Sequence, residues 1–520
     1  MTAARQEPIQ GQQVRQSGLA VTRAEDIRES RLTLEADVVI VGSGAGGAVT
    51  GYELARRGKK VVILEAGPYI PSQAFTERFT DSLQTLYQDH GGQTNKSGDL
   101  LVLQGACVGG STVINGCVCF RTPDFILEDW QRDFGLAELT SEEMTPYFER
   151  VERNLAIHEN AEHEIARHGR LIRAGAQKLG WSVKPFKRNI RDCALTGHCL
   201  SGCKTERKQS MLVSYLPWAS AHGARIFADT RVTEVLAENG RARGVRAQVT
   251  GHDGVKVAEM TVNAERVILA AGAVQTPLLL LKSGLANSSG QVGRNFACHP
   301  SLYVSARYPE PVHPWRGAML GVYVDEFLHP DKGGFVLEDG GAGPVELSMT
   351  AEPGSGEPFM DFMRDSKYLA GLVTLIHDHN VGTIRWEDGR KVIDYQLDNA
   401  DFPSMKRALK AAARLHLASG AEEVYVPSSD RRVIRSEADI DSAVDGLENA
   451  PQHLRMVSYH PQGSTRMGAD PANSVVNADG QCHDVKGLYI ADAGLLPTSI
   501  IVNPQVTVYA LATRIAHRMV

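Results

Sequence analysis

The residues Gly42-Ser43-Gly44-Ala45-Gly46-Gly47 carry the spacing G-x-G-x-x-G. That spacing suits a main chain pressed against a diphosphate. Gly42 permits a tight turn, Gly44 lets backbone approach the phosphates, and Gly47 lets a following helix pack close to a strand. A helix beginning there adds unpaired N–H groups and partial positive charge. Glu65, 18 residues after Gly47, is placed to accept the hydroxyls of a ribose. Cys193, Cys199 and Cys203 form C-x5-C-x3-C, which departs from the ferredoxin run C-x2-C-x2-C-x3-C because Thr196 stands where its second cysteine would be. Iron–sulfur ligation by these three is therefore the lesser reading, and structural thiols the main one. Cys117 and Cys119 read as small packing residues sharing one strand face. His377 and His379 flank Asp378 without a third ligand, so they read as surface or substrate-domain histidines. No G-x-S-x-G elbow lies between a strand and a helix, which removes the hydrolase reading.

These residues need elements to hold them. Asp37-Val38-Val39-Ile40-Val41 is a β-branched run of the kind buried on both faces of a parallel sheet. The glycine cluster follows, then helical composition from Ala48 to Arg57 closed by Gly58, then a second strand, Lys60 to Leu64. Strand, turn, helix and strand within about 30 residues make a βαβ crossover, the context that the glycine motif requires. Further buried strands are expected at Arg266 to Ala271 and Leu488 to Ala491, with strands at 224–227 and 232–236. Short alternating runs such as 383–386 and 392–395 predict an antiparallel sheet within 301–400. Helices are predicted after the capping box Thr140-Ser141-Glu142-Glu143, from Pro403 to Ser419, and from Pro504 onward. The stretch from Met1 to Glu35 has no apolar period and reads as an arm or loose extension.

Composition bounds what these elements can serve. Of 520 residues, 42% are apolar and 22% charged, which is ordinary for a globular chain and argues against disorder. Basic residues number 55 and acidic residues 61, a net charge of −6, so nucleic-acid or polybasic membrane binding has no electrostatic support. The longest apolar stretch, Val267 to Leu281, is too short to span a bilayer and contains Gln275 and Pro277. No signal peptide is visible in the first 34 residues, and the 8 cysteines read as reduced thiols, so a cytoplasmic location is expected.

Several separated motifs extend the reading. Gly109-Gly110-Ser111-Thr112-Val113-Ile114-Asn115-Gly116 is one. The run from Val267 through Ala271-Gly272-Ala273 to Pro277 is a second, and Gly293-Arg294-Asn295 with His299-Pro300 a third. The fourth runs from Ser458-Tyr459-His460-Pro461 to Asn503-Pro504-Gln505. On these motifs, from about Ala36 to Val520, the sequence resembles the glucose–methanol–choline (GMC) family of flavoprotein oxidoreductases. The resemblance implies FAD as cofactor. Gly109, Gly110, Ser111 and Asn115 would lie beside the flavin ring, Asp492 near the ribityl chain or pyrophosphate, and Val232 at the adenine through its backbone. Gly272, Asn503 and Pro504 complete the expected cofactor contacts.

The implied fold is α/β: a discontinuous Rossmann-like FAD domain (36–120, 205–300 and 455–520) and an α+β substrate domain on an antiparallel sheet (121–204 and 301–454). The resemblance also implies a catalytic pair of the His–Asn subtype, His460 and Asn503. An alcohol gives up a hydroxyl proton and a hydride, and His460 would take the proton while Asn503 orients the oxygen. The expected reaction is oxidation of an alcohol to its aldehyde or ketone, with oxygen or another acceptor receiving the electrons. A bulky, fairly apolar alcohol is expected, with Met319, Leu320, Phe335, Met360, Phe362, Met363 and Leu375 as pocket candidates. The rival readings are a flavin-dependent lyase or decarboxylase on the same scaffold, and a flavin/iron–sulfur electron-transfer subunit.

Overall fold

A computed structural model describes residues 19–350, 356–430, 432–450 and 453–519. Its first layer is a five-stranded, wholly parallel sheet in the order Leu488–Ile490, Arg266–Leu269, Val38–Val41, Val61–Leu64, Arg225–Phe227. Val38–Val41 and Val61–Leu64 are buried on both faces, as their unbroken aliphatic runs require. The helix Ala45–Ala55 packs on one side with the C-terminal helix Gln505–Arg518, and Gly51 lets it sit against Ile63. Strand order reverses direction at Val38–Val41: the next strand in sequence lies on one flank and Arg266–Leu269 on the other. A crevice opens at the carboxyl ends of strands at such a switch point.

A second sheet orders the strands Arg31–Glu35, Lys256–Asn263, Arg241–Thr250 and Thr230–Glu238. Its first member corrects the expectation of a loose N-terminal arm. Arg31–Glu35 pairs in parallel with Glu259 to Asn263, and Thr22 bridges Phe227. Alternation of half-buried and exposed residues on that strand hides it from an apolar-period search. The part of the proposed arm from Met1 to Gly18 lies outside the described residues.

The third sheet is mostly antiparallel and centres on Ser301–Arg307, Leu369–Ile376 and Phe335–Gly340. Strand Met456–Ser458 joins it and pairs in parallel with Leu100–Val102, so segments from both halves meet at its edge. The hairpin Thr383–Glu387 with Arg390–Asp394 forms as its alternation predicts. The predicted capping box is half realised: Thr140 Oγ1 accepts from the Glu143 backbone N–H at 3.1 Å, opening helix Ser141–Asn154.

The domain boundary expected at residue 121 falls elsewhere in the packing. Helices Asp124–Phe134 and Ser141–Asn154 bury Trp130, Phe148 and Val151 in the core of the parallel sheet, the second of them against the C-terminal helix. Within the segment 121–204 the antiparallel sheet's core is joined from Ile165 onward, because helix Arg167–Leu179 packs on that sheet instead. Cys117 and Cys119 also depart from expectation. Cys117 has φ of 58°, so the two are not alternate residues of one strand, and their thiols face different partners.

Candidate active site

One cavity, of about 440 Å³, opens at the switch point and runs from the parallel sheet to the antiparallel one. Its first wall is almost bare main chain. A Cβ on Gly42, which has φ of +96°, would lie 2.4 Å from the Ala270 carbonyl oxygen, and one on Gly110 would lie 2.8 Å from the Gly44 Cα. Side chains are excluded there by backbone itself. Three helix N-termini reach the cavity, at Ala45, Gly272 and Gln505; the first and last have no side-chain cap hydrogen bond, while Gly272 N–H donates to Asp492. Their first-turn N–H groups supply positive potential to a bound anion. Glu65 follows the strand Val61–Leu64 and accepts from Ser43 N–H at 2.9 Å, Ser43 Oγ at 2.7 Å and Gly67 N–H at 2.9 Å. Burial raises its carboxyl above the usual range, against those three hydrogen bonds.

The structure brings most of the predicted residues to this cavity: Gly42, Gly44, Glu65, Gly110, Ser111, Asn115, Val232, Gly272, His460, Asp492, Asn503 and Pro504 all line it. Gly47 and Gly109 stand one layer behind. A Cβ on Gly47 would meet the Gly42 carbonyl oxygen at 2.0 Å, so its role is to seat the helix; Gly109, at φ +97°, turns the chain beside Leu212. Asn115 is already engaged. Its Nδ2 donates to Gln505 Oε1 at 2.8 Å and its Oδ1 accepts from Cys117 N–H at 3.1 Å. Asp492 caps the turn Ala493–Leu495 and accepts from Gly272 N–H and Thr276 Oγ1, joining two strand ends under the cavity floor. Of the apolar candidates, Met319, Leu320 and Leu375 line the cavity. Phe335 stacks on Phe327, Phe362 and Met363 belong to a small separate core, and Met360 is exposed, so those four are not pocket wall.

His460 and Asn503 meet. The Asn503 amide nitrogen lies 3.2 Å from His460 Nε2, and the Asn503 Oδ1 is buried without a partner. On the other edge of the ring, His460 Nδ1 lies 3.3 Å from Nδ1 of buried His299, whose Nε2 is 3.1 Å from the Gln462 amide. The backbone N–H groups of Cys298 and His299 donate to Asp378, which holds His299 at φ of 49°. The chain Gln462–His299–His460–Asn503 admits two proton arrangements, because each neutral imidazole carries one proton. With the Gln462 oxygen turned to His299, protons sit on His299 Nε2 and His460 Nδ1, and His460 Nε2 is a bare acceptor. With the Asn503 oxygen turned to His460, that nitrogen carries the proton. Burial holds His460 far below the ordinary histidine range, at about 3, so the ring is neutral at neutral pH.

Sequence reasoning passed over Glu338. It sits on Phe335–Gly340, lines the cavity, hydrogen-bonds with the Asn503 side chain, and leaves Oε1 buried without a partner. Burial is the main cause that moves its carboxyl from an ordinary 4.5 to about 8, and Asp339 beside it adds to the rise. The available signal was an acidic pair, Glu338-Asp339, closing an otherwise apolar strand. His299 was noticed only as part of a motif.

The cysteine run does not gather into a cage. Cys199 hydrogen-bonds with Cys117, Cys203 faces Thr205 and the Lys208 N–H of its own loop, and Cys193 hydrogen-bonds with Arg188. Among the described residues no three His, Cys, Asp or Glu side chains converge as a metal ion requires. His379 Nδ1 pairs with Asp401 at 2.9 Å, and its ring lies against His377.

The bare-backbone wall, the buried acceptor Glu65 and the uncapped helix N-termini define the class: a dinucleotide-binding protein of the Rossmann type. Models described as GMC oxidoreductase match residues 83–301 and 378–512, and one described as an NAD(P)-binding Rossmann-like domain matches 40–101. An uncharacterised GMC-type oxidoreductase of Mycobacterium tuberculosis is 33% identical over 95% of this chain and 77% of its own. Long-chain-alcohol oxidase FAO3 of Arabidopsis thaliana is 28% identical over 95% of this chain and 69% of its own. Pyridoxine 4-oxidase from Mesorbium loti superposes with a TM-score of 0.71 at 21% identity, over 93% of this chain and 98% of that one. The chain belongs to the GMC oxidoreductase family, and its cofactor is FAD.

Proposed function

We propose that this enzyme oxidises a bulky, fairly apolar primary or secondary alcohol to its aldehyde or ketone. One observation carries the reading: His460 Nε2 and the Asn503 amide lie 3.2 Å apart on the wall of the cavity that also holds the dinucleotide residues. FAD, when bound, supplies the acceptor for the hydride that leaves the alcohol carbon. Gly42, Gly44, Glu65, Gly110, Ser111, Val232, Gly272, Asp492 and Pro504 are the residues proposed to hold it. The remaining work falls to side chains of this chain.

His460 Nε2, in the arrangement that leaves it bare, takes the hydroxyl proton. Asn503 donates to the alcohol oxygen and, being an amide, does not compete for that proton. His299 receives the hydrogen bond from His460 Nδ1 and so fixes the tautomer in which the base is ready. Glu338, protonated at neutral pH by its burial, accepts from the Asn503 side chain and holds a proton beside it. Met319, Leu320 and Leu375 supply an apolar wall for the rest of the substrate. The similarity to long-chain-alcohol oxidases of Arabidopsis thaliana supports an aliphatic alcohol as the substrate class.

An anaerobic screen of alcohols of graded size tests this. Bleaching of the oxidised flavin by apolar alcohols is expected, and readmitted oxygen then tells an oxidase from an enzyme that needs another acceptor. Turnover of a non-alcohol with no flavin bleaching by any alcohol would favour the lyase or decarboxylase reading instead.

A further inference from the structure

Beside the proposed catalytic pair, the cysteine turn carries a chemistry of its own. Cys117 follows Asn115 by two residues, and its φ of 58° is a strained conformation for a non-glycine residue. Its side chain is buried and forms part of the cavity wall. Its thiol hydrogen-bonds with that of Cys199, which opens the short helical turn Cys199–Ser201 and is partly exposed. Two segments far apart in sequence thus place two thiols in contact.

Cations frame the pair. Buried Lys208 donates from Nζ to the carbonyl oxygens of Val113 at 2.7 Å, Asn115 at 2.9 Å and Cys199 at 2.8 Å. One ammonium group therefore ties the Cys199 turn to the loop that presents Asn115 and Cys117 to the cavity. Buried Arg188 lies close enough to both thiols to interact with their charge. Cys203, by contrast, meets only its own loop, and Cys193 meets Arg188.

We propose that Cys117 and Cys199 are a peroxide-reactive dithiol that closes to a disulfide at the rim of the catalytic cavity. The hydrogen bond from Cys117, followed by the Lys208 and Arg188 charges, favours the thiolate of Cys199, while burial disfavours that of Cys117. Cys199 is thus the attacking sulfur and Cys117 the resolving one. The Cys199 thiolate attacks one oxygen of hydrogen peroxide. The S–O bond forms, the O–O bond breaks, and hydroxide leaves with the proton that Cys199 gave up, as water. The Cys117 sulfur then attacks the Cys199 sulfenic acid. The S–S bond forms, the S–O bond breaks, and the departing hydroxide takes the Cys117 proton as a second water. Two thiols lose two electrons and the peroxide becomes two waters. Because the same loop carries Asn115, closure couples thiol oxidation to the flavin side of the cavity. The proposal stands independently of the alcohol chemistry, since added peroxide serves as the oxidant.

Peptide mapping of the FAD-bound enzyme after peroxide treatment, with remaining thiols alkylated under denaturing conditions, tests it directly. A Cys117–Cys199 cross-linked peptide is expected, cleaved by dithiothreitol, together with a fall in turnover that the reductant reverses. In Cys199→Ser the untreated enzyme keeps its turnover, the cross-link is absent, and peroxide-dependent loss of activity drops to about a tenth of wild type. Cys193→Ser leaves the cross-link in place. The proposal is overturned by Cys117 and Cys199 both remaining alkylatable after treatment, by a Cys193–Cys199 link in its place, or by stoichiometric iron on these thiols in the purified enzyme. Should Cys199→Ser not fold, the wild-type map and Cys193→Ser still decide.

Discussion

Two buried carboxyls mark the two ends of one cavity, and they are built on opposite plans. Glu65, at the end proposed to take the dinucleotide, accepts from three donors, and its surroundings include glycines whose Cβ positions are filled by backbone. Glu338, at the end proposed to take the substrate, keeps one oxygen without a partner and sits among side chains from the antiparallel sheet. The cofactor end is main chain whose Glu65 carboxyl is satisfied within the protein, and what it leaves open is N–H groups at helix N-termini. The substrate end holds polar atoms whose partners must come from something that binds. A group held permanently suits the first plan, and one that arrives, reacts and leaves suits the second.

Substitutions at each end test that contrast. His460→Ala is expected to have the largest effect: FAD stays bound and yellow, while kcat falls about 10²–10⁴-fold, the span of a lost general base. Absorbance of the bound flavin and steady-state rates, taken together, separate the two ends; flavin loss in this variant would contradict the division. Gly42→Ala should do the reverse. Its Cβ would press on the Ala270 carbonyl oxygen from a positive φ, a strain of about 1–3 kcal/mol before any steric shift. The flavin-to-protein ratio and the melting temperature should both fall.

Glu338→Gln comes next. In the wild type kcat/KM should drop about tenfold per pH unit above pH 8 as the carboxyl ionises, and the glutamine variant should lose that limb of the profile. Stability carries the same signature. A carboxyl raised from 4.5 to about 8 on folding makes the native state bind the extra proton between those values, so stability falls as pH rises through that window. Melting curves of the variant across pH 5 to 8.5 should lack that decline. The smallest effect is expected from His299→Phe, which removes the partner of His460 Nδ1. A loss in kcat of roughly threefold to tenfold with little change in KM matches one neutral hydrogen bond.

The contrast also explains what the sequence made legible. A backbone that must touch a cofactor leaves a fixed trace, because a Cβ at Gly42 or Gly110 would strike backbone from a positive φ, and their places follow from strand and turn geometry. Those positions are legible in the sequence, as is the proposed pair His460 and Asn503. Glu338 is not, because an acidic pair at the end of a strand reads as solvent-facing unless the burial of both faces is known. The strand Arg31–Glu35 escaped for a related reason: its partner lies more than 200 residues away, and its own pattern is only half-buried. The thiol pair of Cys117 and Cys199 escaped because spacing searches look along the chain, and this contact forms across it.

Asp492 gives the parallel sheet one more property. It fastens to Gly272, 220 positions earlier, and the strand before it, Leu488–Ile490, is the last to enter a sheet begun at Val38. At a synthesis rate of about 5–20 residues per second, an early strand pair waits on the order of tens of seconds for the segment that completes its layer. Until that strand arrives the sheet is incomplete, and the exposed edge of Arg266–Leu269 is the surface a chaperone would have reason to guard.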